Sequence, residues 1–270
     1  MLTEEQKQQI ERQNKIIADN VHNIKCRIVV FSGKGGVGKT TVSVNLAYGL
    51  QIRGNKTGIL DADVTGPNVP KMLGLSGDLN TLHGQIIPLE SKGVKVISIA
   101  YLLPPDQPVM WRGPMRSKLL CQFLGDVEWG QLDYLVADLP PGTGDEIITL
   151  TEKMEPDLAI IVTTPQEVSL IDSARAINMA KKMKVPRIGV IENMSGLICP
   201  ECGYKIDLFG SGGGKKQAEK MNVLFLGTLP IDIETREMSD KGKPVILENK
   251  ETHMSVAMID IVKKIEDILS

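Results

Sequence analysis

The sequence predicts an α/β fold, with a mostly parallel β-sheet flanked by helices on both faces. Three observations carry this. Seven short runs are β-branched and almost continuously apolar, as strands covered on both faces are. Longer stretches with helical spacing separate them, which is the alternation of a parallel sheet wrapped by helices. The 270 residues are 42% hydrophobic and 24% charged, an ordinary balance for a globular chain with a substantial core.

Taken in order, residues 3–25 are polar, with Ile10, Ile17 and Val21 at roughly helical spacing, and read as a solvated lead-in helix. The strand runs follow: CRIVVF (26–31), TGILD (57–61), VKVISI (94–99), LDYLVADL (132–139), DLAIIVTT (157–164), RIGVIEN (187–193) and VLFLGTLP (223–230). Helix patterns include KTTVSVNLAYGLQIRG, SLIDSARAINMAKKMK and the terminal MSVAMIDIVKKIEDILS. No linker-like shift in composition and no internal repeat interrupts them. The expectation is an N-terminal surface helix or extension over 1–25 and a single domain over 26–270, with a metal-binding segment at 196–214.

The first strand runs into SGKGGVGKTT, residues 32–41, where Gly33, Gly38, Lys39 and Thr40 satisfy G-x-x-x-x-G-K-[ST] between a strand and a helix. This is a phosphate loop and predicts a P-loop NTPase fold. Glycines let backbone N–H groups surround phosphate oxygens, and the following helix N-terminus adds positive potential. Lys39 neutralises β- and γ-phosphates, and the Thr40 hydroxyl binds Mg²⁺. Gly35, Gly36, Val37 and Thr41 complete the loop.

Carboxylates at strand ends belong to the same site, because ligands of open parallel sheets bind at the carboxyl ends of strands. Asp61 and Asp63 close the second strand in LDADVTGPNVP; a turn-stabilising role is the alternative for each. Asp138, after the hydrophobic run of LDYLVADLPPGTGDE, stands where a Walker B aspartate holds Mg²⁺ through water. Gly142 and Gly144 in the following loop have N–H groups suited to a γ-phosphate, and a plain Pro-Gly turn is the other reading.

The extra lysine of the loop, Lys34, is not needed by an ordinary phosphate loop. GKGGVGKT resembles the deviant Walker A motif of the family that includes MinD, ParA, nitrogenase iron protein and the Mrp/ApbC-type carriers. The resemblance implies an ATP-dependent sandwich homodimer in which Lys34 reaches the partner's nucleotide, with Asp61 near the Mg²⁺ shell and Asp63 orienting the attacking water. The catalytic set it implies is Lys34, Lys39 and Asp63. The late strand ends in VIENMSG without the Asn/Thr-Lys-x-Asp element that reads guanine, so ATP is favoured over GTP. By the same resemblance Asn193 bonds adenine, and LPIDIETREMSDKGKPV (229–245) lies along it through Pro230 and Asp232.

GLICPECGYKIDLFGSGGGKK (196–216) holds Cys199 and Cys202 as one Cys-x-x-Cys pair, half of a four-thiolate metal site. This insert, the run from 207 to 237 behind it and PVMWRGPMRSKLLCQFLGDVEWGQLDYLVADLPPGTGDE (108–146) are similar to the Mrp/ApbC pattern, and the chain is identified from residue 26 onward as a member of that family. A symmetric dimer joins two such pairs into one site. Four thiolates suit a 4Fe–4S cluster or one tetrahedral Zn²⁺; only the resemblance favours the cluster. What it implies is an iron–sulfur cluster carrier ATPase with slow hydrolysis, serving apo iron–sulfur client proteins and cluster-assembly proteins.

Cys26 and Cys121 read as small buried residues, and four cysteines do not make a disulfide framework here. His22, His83 and His253 lack ligand spacing, and neither Trp111 nor Arg112 receives a role. A net charge of −2 and the absence of an apolar run of bilayer length give no expectation of nucleic-acid or membrane partners. The start of the chain is not a signal peptide, so a cytoplasmic protein is expected. A positioning ATPase like MinD or ParA, or an ATP-switched dimer stapled by zinc, remain the alternatives.

Overall fold

The computed structural model describes residues 3–64, 66–102 and 113–270; Trp111 and Arg112 lie outside the described residues. The chain begins with helix α1 (Glu4–Val21) and strand β1 (Ile24–Phe31), followed by α2 (Lys39–Ile52) and β2 (Thr57–Asp61). A short α3 (Val69–Leu73) leads to the small strands β3 (Asn80–Leu82), β4 (Gln85–Ile87) and β5 (Leu89–Ser91), then β6 (Val94–Ser98) and a 3-10 turn at Ile99–Leu102. The alternation resumes with α4 (Gly113–Gly125), β7 (Leu132–Asp138), α5 (Asp145–Met154), β8 (Leu158–Thr163), α6 (Glu167–Lys182) and β9 (Ile188–Glu192). The two-residue strands β10 (Leu197–Ile198) and β11 (Lys205–Ile206) form a hairpin. Helix α7 (Gly213–Met221), β12 (Leu224–Thr228), α8 (Ile233–Asp240), α9 (Val245–Glu248) and α10 (His253–Leu269) complete the chain.

Eight strands form one sheet in the order β12-β9-β8-β1-β7-β2-β6-β5. Every pairing is parallel except that of the edge strand β5 with β6. The reason lies in the side-chain alternation of strands buried on both faces. In β1, Val29 and Phe31 join a core on one face with α1, α4, α5, α6 and α7, while Ile28 and Val30 join the core under α2 and α10 on the other. Because β1 lies between β7 and β8, the sheet's connections diverge around it. The crevice at its carboxyl end is where such folds bind ligands.

Helix α1 departs from the solvated helix expected. Ile10 is exposed, but Ile17 and Val21, four residues apart on one face, are buried in the core. The Asn20 side-chain amide donates to Leu124 O and Val127 O, both at 2.8 Å, and Lys153 Nζ donates to Asn14 Oδ1 at 2.8 Å. Burying each of those apolar side chains contributes about 1.5–3 kcal/mol. The helix is therefore docked over its C-terminal half and solvated over its N-terminal half. Helix α10 buries Met258, Ile261, Val262 and Ile265 on one face, as its pattern predicts for a helix packed on the core. Among the described residues no helix is long and apolar enough to cross a membrane.

Candidate nucleotide and cysteine sites

The phosphate loop connects β1 to α2. Gly38 is the N-cap of α2 at φ 82°, and a Cβ there would lie 2.2 Å from Asn193 Nδ2, so both backbone and neighbour demand glycine. Gly33 packs against the backbone of α6, where an added Cβ would meet the Asp172 carbonyl carbon and oxygen at 2.2 Å. Gly33→Ala is thus expected to push the loop off α6, costing about 1–3 kcal/mol of stability and weakening ATP binding about tenfold. Titration with a fluorescent ATP analogue beside a thermal melt checks this, and unchanged values in both would contradict it.

Lys39 is the hub of the site. Its ammonium lies 2.9 Å from Asp138 Oδ1 and 3.4 Å from Asp63 Oδ2, with its side chain only 6% exposed. Asp138 is fully buried, and its carboxylate also accepts from Thr40 Oγ1 at 2.7 Å and Ser43 Oγ at 2.7 Å. A buried carboxylate needs partners of this kind, since taking the charge out of water costs several kcal/mol otherwise. Ser43 escaped the sequence reading, because a serine inside a helix signals nothing until its partner is known. Ser98, at the end of β6, escaped it as well, because a lone hydroxyl signals nothing until its partner is known.

Asp61 sits beside Asp138 in the pairing of β2 with β7. It accepts from Ser98 Oγ at 2.8 Å, Val69 N–H at 3.2 Å and Asp63 N–H at 3.3 Å, which pins the loop between β2 and α3. Burial, and then the adjacent Asp138 carboxylate, push its pKa up to about 8. Asp63, in that loop, accepts from Gly66 N–H at 3.3 Å and faces Lys39.

A cavity of about 620 Å³ opens above the loop, and Asp63, Lys71, Asn193, Pro230, Asp232 and Arg236 stand on its walls. The Asn193 side-chain amide donates to Val37 O at 2.8 Å, joining β9 to the phosphate loop. Asp232 lines the cavity and also caps α8, accepting from Glu234 N–H at 2.8 Å and Thr235 N–H at 3.2 Å. Gly142, at φ 98°, gives its N–H to Ser32 O at 2.9 Å, and Gly144 is the N-cap of α5. Lys34, within the loop, is half-buried, its carbonyl accepting from Ser32 Oγ at 2.8 Å.

The cysteine pair lies at the turn of the β10–β11 hairpin. Cys199 N–H donates to Tyr204 O, and Gly203 N–H returns to Cys199 O, each at 2.9 Å. The N–H groups of Cys202 and Glu201, with the Cys202 thiol, point at the Cys199 sulfur and hold its pKa below the usual thiol value. Burial pushes the Cys26 and Cys121 thiols the other way. Iodoacetamide is accordingly expected to label Cys199 at least about tenfold faster than Cys26 or Cys121 at neutral pH. The gap should narrow as pH rises through the Cys199 pKa, where its rate levels off while those of the buried thiols still climb, and equal rates at neutral pH by peptide mass spectrometry would contradict the geometry.

Among the described residues no cluster of three or more His, Cys, Asp or Glu side chains could hold a metal ion within one chain. The hairpin is stitched to the nucleotide cavity's wall instead: Ser195 N–H donates to Leu229 O at 2.9 Å and Ile231 N–H to Gly196 O at 2.8 Å.

Fold and site together define a P-loop NTPase. The family model for the ParA-type NUBPL iron-transfer P-loop NTPases matches residues 23–266, and the chain belongs to that family. It is 53% identical over 247 residues to the iron–sulfur cluster carrier protein of Methanocaldococcus jannaschii, covering 89% of this chain and 84% of that one. The nucleotide-binding protein of Archaeoglobus fulgidus, solved in complex with ADP, superposes with a TM-score of 0.79 at 38% identity, over 89% of this chain and 95% of that one. The cell division protein MinD of Aquifex aeolicus shares the fold, with a TM-score of 0.67 at 22% identity over 90% and 97% of the two chains.

Proposed function

We propose that this protein binds and slowly hydrolyses ATP, and that it carries a 4Fe–4S cluster between two copies of itself and delivers it to apo-proteins. The observation that carries the reading is the hairpin. It presents two thiols at its turn, one with its sulfur facing amide N–H groups, and it is bonded to the wall of the ATP cavity. The names of the relatives support the cargo, and a pair of ligands per chain, one exposed and one half-buried, suits a cluster that must be released. A second copy supplies the other two thiolates by symmetry.

Within the ATP site, the loop amides and Lys39 hold the phosphates, while Asn193, Pro230 and Asp232 border the adenine. The oxygens of Thr40 and Asp138, 2.7 Å apart and beside Lys39, form a hard-donor set that fits Mg²⁺, with Asp61 behind them. That ion neutralises phosphate charge when bound. Asp63 orients the attacking water, its loop held by Asp61. Lys34 acts on the nucleotide of the second copy. The exchange of the Gly142 N–H from Ser32 O to the γ-phosphate is the step that senses ATP.

The test is anaerobic transfer of the cluster from reconstituted protein to an apo-ferredoxin, with ATP, ADP or no nucleotide. Transfer whose rate depends on nucleotide supports the carrier. A protein that is colourless after reconstitution and retains zinc would replace it with a zinc-stapled ATP switch.

A further inference from the structure

The glycine run GSGGGKK (210–216) leads into α7, and two of its amides are aimed at one buried anion. Glu192, the last residue of β9, has no solvent exposure. One carboxylate oxygen accepts from Gly212 N–H at 2.8 Å and from Ser195 Oγ at 2.6 Å; the other accepts from Gly214 N–H at 2.5 Å. Gly212 is the N-cap of α7 and provides no side-chain cap, so Glu192 supplies the negative charge that this helix terminus favours. Close packing explains the glycines. A Cβ on Gly214 would lie 3.0 Å from Glu192 Cβ, and one on Gly213 would lie 2.7 Å from Pro165 O.

Ser195 enters the cysteine hairpin and Gly212 leaves it. We propose that Glu192 is the positioning residue of the cysteine pair: one internal carboxylate fastens both ends of the insert to the end of β9. This rests on the reading of Cys199 and Cys202 as cluster ligands. The neighbouring Asn193 bonds the phosphate loop through Val37 O. Two consecutive residues on one strand end therefore grip the two sites from a shared base. A shift of the strand end at one site is passed to the other without a separate relay.

Hydrogen–deuterium exchange of the full chain, metal-free, with and without ATP, tests the clamp in the Glu192→Gln variant. Glutamine keeps the volume but turns an N–H₂ group toward N–H donors. The amides of residues 197–206 are expected to exchange at least about tenfold faster, while those of β1 and α2 keep wild-type rates. Added ATP is expected to slow residues 197–206 in the wild type only, though it slows the phosphate loop in both. Ser195→Ala, which removes one donor and leaves the charge, gives an intermediate effect and stands in if the first variant does not fold. Equal exchange of residues 197–206 in variant and wild type overturns the clamp, as does acceleration spread evenly through β1 and α2.

Titration with Co²⁺, read by thiolate-to-cobalt absorption, separates the clamp from the reading it rests on. Weaker cobalt binding in Glu192→Gln supports the clamp. Unaltered binding with unaltered exchange refutes it and leaves the cluster site standing. A wild type whose cysteines take up neither cobalt nor iron, but whose hairpin still loosens in the variant, refutes the cluster site and leaves the clamp.

Discussion

Replacing Lys39 with alanine is expected to lower ATP hydrolysis by at least about 100-fold, a loss typical of removing a charge that stabilises the transition state. The same change is expected to destabilise the fold by about 3 kcal/mol, because it deprives a fully buried carboxylate of its counter-ion. The two effects share a cause. Asp138 is held by Thr40, Ser43 and Lys39, and only the last carries charge. Lys39→Arg separates them: it retains the positive charge, yet its planar fork does not fit the space of an ammonium 2.9 Å from Asp138 and 3.4 Å from Asp63. It should recover part of the stability and little of the hydrolysis. Steady-state hydrolysis and urea denaturation of the three proteins decide the matter, and hydrolysis surviving in Lys39→Ala would refute the assignment.

The second large effect is expected at the cysteines. Cys199→Ser/Cys202→Ser should abolish iron–sulfur absorption after anaerobic reconstitution, because a hydroxyl at neutral pH is neither a thiolate nor a soft ligand. Stability should change by less than about 0.5 kcal/mol, as is usual for surface substitutions. Cys202 is exposed, Cys199 is partly so, the bonds Cys199 N–H to Tyr204 O and Gly203 N–H to Cys199 O do not use sulfur, and a serine hydroxyl can still accept from the amides that face the Cys199 sulfur. ATP binding, at a separate cavity, should persist. A brown protein in the double variant would place the cluster elsewhere.

Much of this was legible in the sequence because few residue types can perform the tasks involved. The strands CRIVVF, TGILD and DLAIIVTT are buried on both faces, and only unbroken apolar runs tolerate that. The structure starts and ends them within two residues of the reading. The phosphate loop was legible because phosphate needs glycines and a lysine at fixed spacing. The small strands β3, β4 and β5 were not, since their exposed, mixed residues follow no period. The docking of α1 was hidden because Ile17 and Val21 are only two apolar positions in a polar helix, and the surface they cover comes from α4, about a hundred residues away.

The polar support of the site was hidden for a related reason. Ser43 meets Asp138 across 95 positions and Ser98 meets Asp61 across 37, and a hydroxyl fits many surroundings equally well. Glu192 did leave a trace: a carboxylate at the end of RIGVIEN is a charge where an apolar strand should be buried. Such a residue requires internal donors, and the glycine run that supplies them lies 20 to 22 positions further on.

The central claim is that two copies of this chain share one cluster through their cysteine pairs. Native mass spectrometry of the anaerobically reconstituted protein, with iron and sulfide counted on the same sample, tests it most directly. The account predicts a two-chain particle carrying about four irons and four sulfides, which gives way to cluster-free protein in Cys199→Ser/Cys202→Ser. A single chain that holds its full iron content, or a two-chain particle that holds one zinc and no sulfide, would contradict it.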